Sequence, residues 1–152
     1  MTIYLLRHAK AGRRSAWTDP DWLRPLSDLG RIQARDLLHT MHKARFAHIL
    51  SSPYVRCMES VVPLAAHHGL PVEPTEALEE GAPLDGVLGL MKEHADTGAV
   101  LCTHGDIIPA VLEHAAANGS RLGSDLRCEK GSIWVLDGDI TGAPKLRYIP
   151  AT

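Results

Sequence analysis

The sequence predicts an α/β fold, a three-layer α/β/α domain built around a mainly parallel central sheet. Short apolar segments alternate along the chain with longer amphipathic segments, which is the rhythm of βαβ units. The short segments are apolar on both faces, as strands are when helices cover both sides of a sheet. With 152 residues, 45% of them hydrophobic, the chain is long enough to bury one substantial core, so we expect a single domain over residues 1–152.

Each main strand is predicted from a short apolar segment. IYLLR at 3–7 is the first, and the others are HIL at 48–50, AVLCT at 99–103 and SIWVL at 132–136. We interpret these segments as parallel strands, because they are apolar on both faces. Another short strand is expected near Val72. The turn-rich LDGDITGAPK segment predicts a hairpin that joins the final two strands.

Four helices are predicted between these strands, over residues 28–43, 54–67, 84–94 and 106–117. Ser27 is an N-cap candidate for the first helix, and Gly69 and Gly119 lie just beyond the ends of the second and the fourth. The inward face of the first helix is expected to consist of apolar residues at helical spacing: Leu29, Ile32, Leu37, Leu38 and Met41.

Composition argues against several classes of function. A net charge of -2 is not typical of a protein that binds a nucleic acid polymer. No apolar run approaches the roughly 18 residues of a membrane span, and the N-terminal residues lack the pattern of a secretory signal, so we expect a cytoplasmic protein that does not bind membranes. Cys57, Cys102 and Cys128 are widely spaced and odd in number, which predicts reduced thiols.

No metal site is predicted. His39 and His42 have the i, i+3 spacing of two ligands on a helix, but a third ligand is missing and a solvated helix face is the simpler interpretation. Asp137 and Asp139 imitate the start of a calcium loop, but the twelfth position is Tyr148 instead of glutamate. We therefore expect neither a metal nor another cofactor.

Three of the predicted strands end in polar residues of similar character. Arg7 and His8 follow the first strand, Arg56 follows the second after the turn Ser51-Ser52-Pro53, and Thr103-His104-Gly105 follows the strand at 99–103. The carboxyl ends of parallel strands form the ligand-binding edge of an open α/β sheet, so two arginines and two histidines should meet there. Each of them alone has an ordinary interpretation as a solvated or structural side chain, but their common placement indicates a site.

These residue types suit chemistry at phosphorus. Guanidinium groups bind phosphate oxygens in a fork geometry and stay charged, and a neutral imidazole is a nucleophile toward phosphorus. Two nearby arginines should lower the pKa of His8 below its ordinary value of about 6.5 and keep the imidazole neutral. A helix that begins near Gly105 adds backbone N–H groups to the same site. Such a site needs no metal ion.

The long stretch without a regular pattern, residues 9–26, holds basic and aromatic side chains close to His8. They are Lys10, Arg13, Arg14, Trp17, Trp22 and Arg24. Loops of this length in a compact domain tend to be functional, and such residues together can bind a second phosphate and stack on a base. The alternative is that the tryptophans fold the loop onto the domain.

Three motifs occur in order along the chain: Leu6-Arg7-His8-Ala9, Ser52-Pro53-Tyr54-Val55-Arg56 and Thr103-His104-Gly105-Asp106. They resemble the signatures of the histidine phosphatase superfamily, also called the phosphoglycerate mutase-like superfamily, and the resemblance covers nearly the whole chain. A further segment is similar to the one that precedes the first helix in the short members of that family, which include phosphohistidine phosphatases. It consists of Arg24-Pro25-Leu26, followed by Gly30 and Gln33-Ala34. KGSIWVL at 130–136 is similar to a domain that some bacterial nucleotide-sanitising enzymes carry behind a Nudix hydrolase.

The resemblance implies a role for each site residue. His8 would be the nucleophile that forms a phosphohistidine intermediate, and Arg7, Arg56 and His104 would hold the phosphoryl oxygens. The proton donor to the leaving group would be Glu80, in a Leu-x-Glu context, with the adjacent Glu79 as its rival or with both glutamates on a plain surface loop. We add Gly105, Lys10 and Arg13 as further phosphate- or substrate-binding residues.

The implied activity is that of a metal-independent phosphoric monoester hydrolase. Small phosphorylated molecules such as nucleotides are the first choice of substrate, because the nearest resemblance is to nucleotide-sanitising enzymes. The alternative is a protein phosphohistidine phosphatase in signalling. A non-catalytic module that binds phospholigands is a third interpretation, and the presence of both histidines and both arginines speaks against it.

Overall fold

Six strands and four α-helices form an α/β fold in the computed structural model, which describes residues 1–124 and 126–152. The strands are β1 (Thr2–Arg7), β2 (His48–Ser51), β3 (Val72–Pro74), β4 (Ala99–Thr103), β5 (Ile133–Asp137) and β6 (Lys145–Ile149). The helices are α1 (Asp28–Met41), α2 (Val55–His68), α3 (Leu84–Glu93) and α4 (Ile107–Ala117). Short 3-10 helices occupy Arg14–Ala16, Asp21–Leu23 and Glu76–Leu78. The predicted strands, helices and final hairpin are thus all confirmed, with ends shifted by a few residues.

The strands form one sheet in the order β3-β2-β4-β1-β5-β6. The first four in this order are parallel, whereas β5 runs antiparallel to β1 and β6 antiparallel to β5. The interpretation of SIWVL as a parallel strand was therefore wrong. Its composition is misleading because Ile133 and Val135 are buried on one face of the sheet and Trp134 and Leu136 on the other, as in a parallel strand.

Two hydrophobic clusters, one on each face of the sheet, give the predicted three layers. On one face, Ile3 and Leu5 of β1 pack with apolar residues of α3 and α4, such as Val87 and Leu112. On the other face, Leu6 packs with α1 and α2 through residues that include Leu37, Met41, Val61 and Leu64. The helices in the described residues are too short or too polar to cross a membrane.

The inward face of α1 differs from the prediction. Its buried residues are Gly30, Gln33, Ala34, Leu37 and Met41. Leu29 and Ile32, predicted to face inward, are 61% and 42% exposed. The cause lies at Gly30, where a Cβ atom would stand 1.8 Å from the backbone oxygen of Lys10. The helix turns its small residues toward the segment after β1, because that segment passes too close for a larger side chain.

Local signals at helix ends behave as predicted. The Ser27 hydroxyl accepts a hydrogen bond from the Gly30 N–H, which caps α1. Gly69 ends α2 in the left-handed region, with φ of 65°. The segment from residue 9 to 26 contains two of the 3-10 helices, and its two ends are joined by a bridge between Ala11 and Leu26.

Candidate active site

The carboxyl ends of β1, β2 and β4 bring the predicted polar residues together. These strands are neighbours, and the paired positions Arg7↔Thr103 and Ser51↔Cys102 align their ends at one edge of the sheet. A cavity of about 320 Å³ lies there. Its lining includes Arg7, His8, Arg56, Glu80, His104 and Gly105. The residues come from distant parts of the chain, and the parallel register brings the strand ends that carry Arg7, His8 and His104 together.

Both the backbone and the imidazole of His8 are held by hydrogen bonds. Its backbone N–H donates to the carbonyl oxygen of Thr103 at 3.1 Å, and its own carbonyl accepts from the Gly131 N–H at 3.1 Å. The ring Nδ1 lies 2.8 Å from the carbonyl oxygen of Ala9. Since a carbonyl only accepts, Nδ1 must carry the proton, and Nε2 is left with the lone pair.

Burial keeps the His8 imidazole neutral. The side chain is 5% exposed, and the loss of solvation lowers its pKa to about 3, with smaller contributions from the charges of Arg56, His104 and Arg7. The hydrogen bond to Ala9 acts in the opposite direction. The predicted neutral state is therefore the state in the structure, but its main cause is desolvation and not, as we expected, the two arginines.

Arg7 reaches the cavity beside a glycine. Its Nη1 donates to the carbonyl oxygen of Cys128 at 2.6 Å. A Cβ atom at Gly105 would lie 2.7 Å from the Arg7 Cζ and 2.9 Å from its Nε, closer than such atoms approach. Gly105 therefore provides the room in which the guanidinium group lies.

Arg56 is almost completely buried, at 1% exposure, in the first turn of α2. Its Nη1 donates to the backbone oxygen of Asp21 at 3.1 Å, and its Nη2 lies 3.2 Å from the Asp21 carboxylate. The guanidinium carbon stands 4.9 Å from the centre of the Tyr54 ring, within the range of a cation–π contact. These contacts fix the orientation of the guanidinium plane.

His104 stands opposite His8, with the two ring centres 5.4 Å apart. It is 1% exposed. Its Nε2 forms a hydrogen bond with the Ser52 hydroxyl at 2.9 Å, and the Cys57 sulfur lies 3.5 Å from the same nitrogen. Ser52 thus orients the His104 ring. This hydrogen bond is a direct contact between the motif that begins at Ser52 and the motif that contains His104.

Buried nitrogen atoms without partners are concentrated at this site. In the described part of the chain, four buried side-chain polar atoms lack a hydrogen-bond partner, and three of them are Nε of Arg7, Nε of Arg56 and Nδ1 of His104. Leaving such groups unpaired costs free energy, on the order of 1–3 kcal/mol each. All three belong to residues that line the cavity.

The structure distinguishes between Glu80 and Glu79 as candidates for the proton donor. Glu80 lines the cavity, with its carboxylate 3.6 Å from Arg14 and 3.9 Å from Arg56, whereas Glu79 is not among the lining residues. The Glu80 side chain is 42% exposed, so it lies at the rim. The N–H of Gly81 donates to the Asp106 carboxylate at 2.8 Å, which ties this segment to the start of α4.

Of the two loop residues predicted to bind substrate, only one lies at the cavity. Arg13 lines the cavity, but Lys10 does not: its side chain is exposed, and its backbone N–H donates to the side chain of Gln33 at 2.9 Å. The Trp17 indole donates to the carbonyl of Pro20 at 3.0 Å, within the loop itself. This contact does not join the loop to the rest of the domain, and Trp22 is 52% exposed. The alternative in which the tryptophans fold the loop onto the domain therefore stays a prediction.

Asp21 is a site residue that sequence reasoning missed. Its carboxylate contacts Arg14 at 3.5 Å, Arg24 at 3.1 Å and Arg56 at 3.2 Å. Burial alone would raise its pKa, but the hydrogen bond from Arg24 and the charges of the three arginines lower it. Nothing in the sequence distinguishes Asp21 from the nearby Asp19.

Arg14 and Arg24 of the basic loop line the cavity, and so does Lys130, which was not predicted as a site residue. Lys130 is at the site because β5 is antiparallel, so that the start of β5 lies beside the end of β1. A prediction of β5 as an antiparallel strand would have placed Lys130 at the site. Among the described residues, no cluster of three histidine, cysteine or acidic side chains could hold a metal ion.

Comparison with known sequences supports the resemblance. A sequence model of the histidine phosphatase superfamily (branch 1) matches residues 3–83. An 8-oxo-(d)GTP phosphatase of Mycolicibacterium smegmatis is 30% identical over 155 residues, which cover 95% of this chain and 48% of that protein. The chain thus spans about half the length of this curated relative.

Solved structures share the fold. A candidate phosphohistidine phosphatase SixA of Agrobacterium tumefaciens is 25% identical with a TM-score of 0.76, and the match covers 99% of this chain and 98% of that one. The protein histidine phosphatase SixA complexed with tungstate is 18% identical with a TM-score of 0.75, over 97% and 94% of the two chains. The similarity to the tungstate complex, at 18% identity, shows a shared fold alone. The predicted fold class is confirmed.

Proposed function

The chain belongs to the histidine phosphatase superfamily, and from this we propose that it is a phosphatase that acts through a phosphohistidine intermediate on His8. The observation that carries the proposal is the state of His8. Its imidazole is buried and neutral, its Nε2 holds the lone pair, and it lines one cavity with Arg7, Arg56 and His104. Each of these three partners has a buried nitrogen without a hydrogen-bond partner in the structure.

The reaction would proceed in two displacements at phosphorus. In the first, Nε2 of His8 attacks, the N–P bond forms, and the bond from phosphorus to the leaving oxygen breaks while Glu80 supplies a proton to that oxygen. In the second, water attacks phosphorus while Glu80 takes a proton from the water, the N–P bond to His8 breaks, and phosphate leaves. Arg7, Arg56 and His104 would stabilise the charge on the equatorial oxygens in both steps.

Covalent trapping tests the nucleophile. We expect His8→Ala to lower kcat/KM on p-nitrophenyl phosphate by at least about 1,000-fold, and to abolish the acid-labile, base-stable 32P label that the wild-type protein acquires in a rapid quench. His114→Ala, an exposed histidine of α4, is the matched control and should keep the label. A His8→Ala protein that turns over normally would disprove the mechanism.

Metal independence is part of the proposal, because the guanidinium groups of Arg7 and Arg56 already supply fixed positive charge to the phosphoryl group. We expect full activity after dialysis against EDTA, with no gain on adding Mg²⁺, Mn²⁺ or Zn²⁺. Loss of activity on chelation, restored by one of these metals, would contradict it.

The substrate is proposed to be a small phosphorylated molecule such as a nucleotide, which the 30% identity to an 8-oxo-(d)GTP phosphatase supports. The alternative is a phosphohistidine protein, which the similarity to the Agrobacterium protein supports. The three free cysteines of the described chain fit the reducing environment of the cytoplasm, where we place the protein.

Glu80→Gln separates the two substrate classes. An alkoxide leaving group needs a proton in the transition state, so we expect kcat on an alkyl phosphate to fall by roughly 100-fold or more. A phosphohistidine whose second ring nitrogen is protonated releases neutral imidazole, whose conjugate acid has a pKa of about 6.5, so turnover of a phosphohistidine peptide should fall much less. Glu79→Gln is the control. Equal small effects of both substitutions on the alkyl phosphate would reject Glu80 as the donor.

A further inference from the structure

We propose that the cavity contains a second anion subsite, formed by Lys130 and Arg13, that selects substrates in which the transferred phosphoryl group is attached to another phosphate. The chemical class is that of organic diphosphates and longer phosphate chains. The inference rests on the phosphatase function proposed above and adds to it the chemistry of the leaving group.

The charge of the cavity exceeds what a phosphate monoester requires. The positive residues that line it are Arg7, Arg13, Arg14, Arg24, Arg56 and Lys130. Two carboxylates oppose these six charges, Glu80 in the lining and Asp21 beside it, which leaves an excess of four. The dianion of a monoester neutralises two of them. Two positive charges therefore remain for a further anionic group.

The unused charges are those of Arg13 and Lys130. The two carboxylates are in contact with Arg14, Arg24 and Arg56. Arg7 donates to a backbone carbonyl and is one of the residues proposed above to hold the transferred phosphoryl group. Within the described residues, the side chains of Arg13 and Lys130 form no ion pair although both line the cavity.

Lys130 is held next to the nucleophile. The N–H of the following residue, Gly131, donates to the carbonyl oxygens of both Arg7 and His8 at 3.1 Å. The Gln33 side chain donates to the Lys130 carbonyl at 3.1 Å and so fixes the segment to α1. These contacts fix the backbone of Lys130 beside that of His8, and the two residues line the same cavity.

Lys130 occupies this position at an electrostatic cost. Partial burial, together with the charges of Arg7, Arg24, Arg56 and Arg14, lowers the pKa of its ammonium group. A cation held without a counter-ion among other cations is favourable only if an anion binds there. Arg13, which directly precedes the first 3-10 helix, approaches the same cavity from the loop.

A phosphate leaving group also suits the position of Glu80. In this case Nε2 of His8 bonds to the terminal phosphorus, the P–O bond to the inner phosphate breaks, and the inner phosphate leaves as an anion. Its second pKa is about 6, so it departs near neutral pH without needing the proton that an alkoxide needs. A half-exposed carboxylate in contact with two arginines is then sufficient.

Competition between two inorganic anions tests the subsite in the full chain. With p-nitrophenyl phosphate as substrate, we expect inorganic pyrophosphate to inhibit at a concentration at least about tenfold lower than inorganic phosphate. The double variant Lys130→Ala/Arg13→Ala should raise the inhibition constant of pyrophosphate about tenfold or more and that of phosphate much less. Lys130→Arg should restore most of the difference, and Lys92→Ala, a lysine at the far end of α3, should not alter it.

Other outcomes would overturn the proposal. Equal inhibition by the two anions in the wild-type protein would show that no second subsite exists. An equal loss for both anions in the double variant would show that these cations act only through general attraction. If His8→Ala matched the wild type, the proposed function would fail instead, and calorimetric titration with pyrophosphate and phosphate would still measure the subsite directly.

Discussion

At the scale of single residues, His8 has the strongest physical link between environment and chemistry. An imidazole in water is half protonated near its ordinary pKa of about 6.5, and only the neutral form attacks phosphorus. In this protein, removal from water makes the neutral form the stable one, and the Ala9 carbonyl selects the tautomer whose Nε2 is free. The surrounding chain thus prepares the nucleophile before substrate binds.

This environment gives a testable pH dependence. The folded-state pKa of His8 is about 3 and the unfolded value about 6.5, so between these values the unfolded chain binds a proton that the folded chain does not. Stability should therefore fall as pH is lowered through this window, with His8 contributing about 1.4 kcal/mol per pH unit. Urea unfolding of the wild type and His8→Ala from pH 7 to 4.5 measures the difference in slope.

Nuclear magnetic resonance provides the direct control. The His8 ring nitrogens of the free protein should show no titration between pH 8 and 4.5, because the pKa of the buried imidazole is lowered to about 3. A His8 midpoint above pH 5.5 would contradict the account of burial.

At the scale of elements, the site depends on close approach between strand ends and helices. The Arg7 side chain passes Gly105 at a distance that leaves no room for a Cβ atom. Gly105 lies between β4 and α4, so a shift there changes the position of Arg7 relative to His8 without disturbing the sheet. The site is precise because two rigid elements meet at a residue without a side chain.

Gly105→Ala tests this contact. The added methyl group would displace the end of a flexible side chain, so we expect a modest loss of thermal stability but a fall in kcat/KM of roughly 100-fold from misplacement of the guanidinium group. Gly89→Ala in α3 is the control, since a Cβ atom there meets nothing within 4 Å. Unchanged kinetics with Gly105→Ala would show that Arg7 does not contact the transferred group.

Two predictions about elements failed, one on the direction of a strand and one on the inward face of a helix. SIWVL was identified as a strand from its apolar residues, but apolarity reports burial on both faces and carries no information on direction. The reversal of β5 is what brings Lys130 and Gly131 to the nucleophile. In α1, hydrophobic spacing selected Leu29 and Ile32, but the tight contact of Gly30 with Lys10 rotates the helix so that both are exposed.

At the scale of the whole molecule, charge is distributed unevenly. The chain has a net charge of -2, yet six of its 16 lysine and arginine residues line one cavity. The cations at the strand ends repel each other when the cavity holds no anion. Folding therefore works against this repulsion, and an anion that binds the folded state should stabilise the protein.

Phosphate should raise the melting temperature for this reason. At about 100 times its dissociation constant, a ligand of the folded state contributes about 2.7 kcal/mol, which for a domain of this size corresponds to roughly 5–10 °C. Differential scanning calorimetry in phosphate, compared with chloride at matched ionic strength, measures the shift. Arg56→Ala should lose most of it, and an undiminished shift in that variant would place the anion elsewhere.

The sequence by itself determined the layers of the fold and the four residues Arg7, His8, Arg56 and His104. It did so because the spacing of apolar residues that is typical of a helix or a strand can be recognised within a short segment. Polar residues directly after parallel strands, in addition, must lie at the same edge of the sheet. Only the tertiary structure decided what holds His8 neutral, which glutamate faces the cavity, that Lys130 lines it and that Asp21 contacts three of the site's arginines. These features depend on burial, strand direction and loop path, which arise from contacts between residues far apart in the chain.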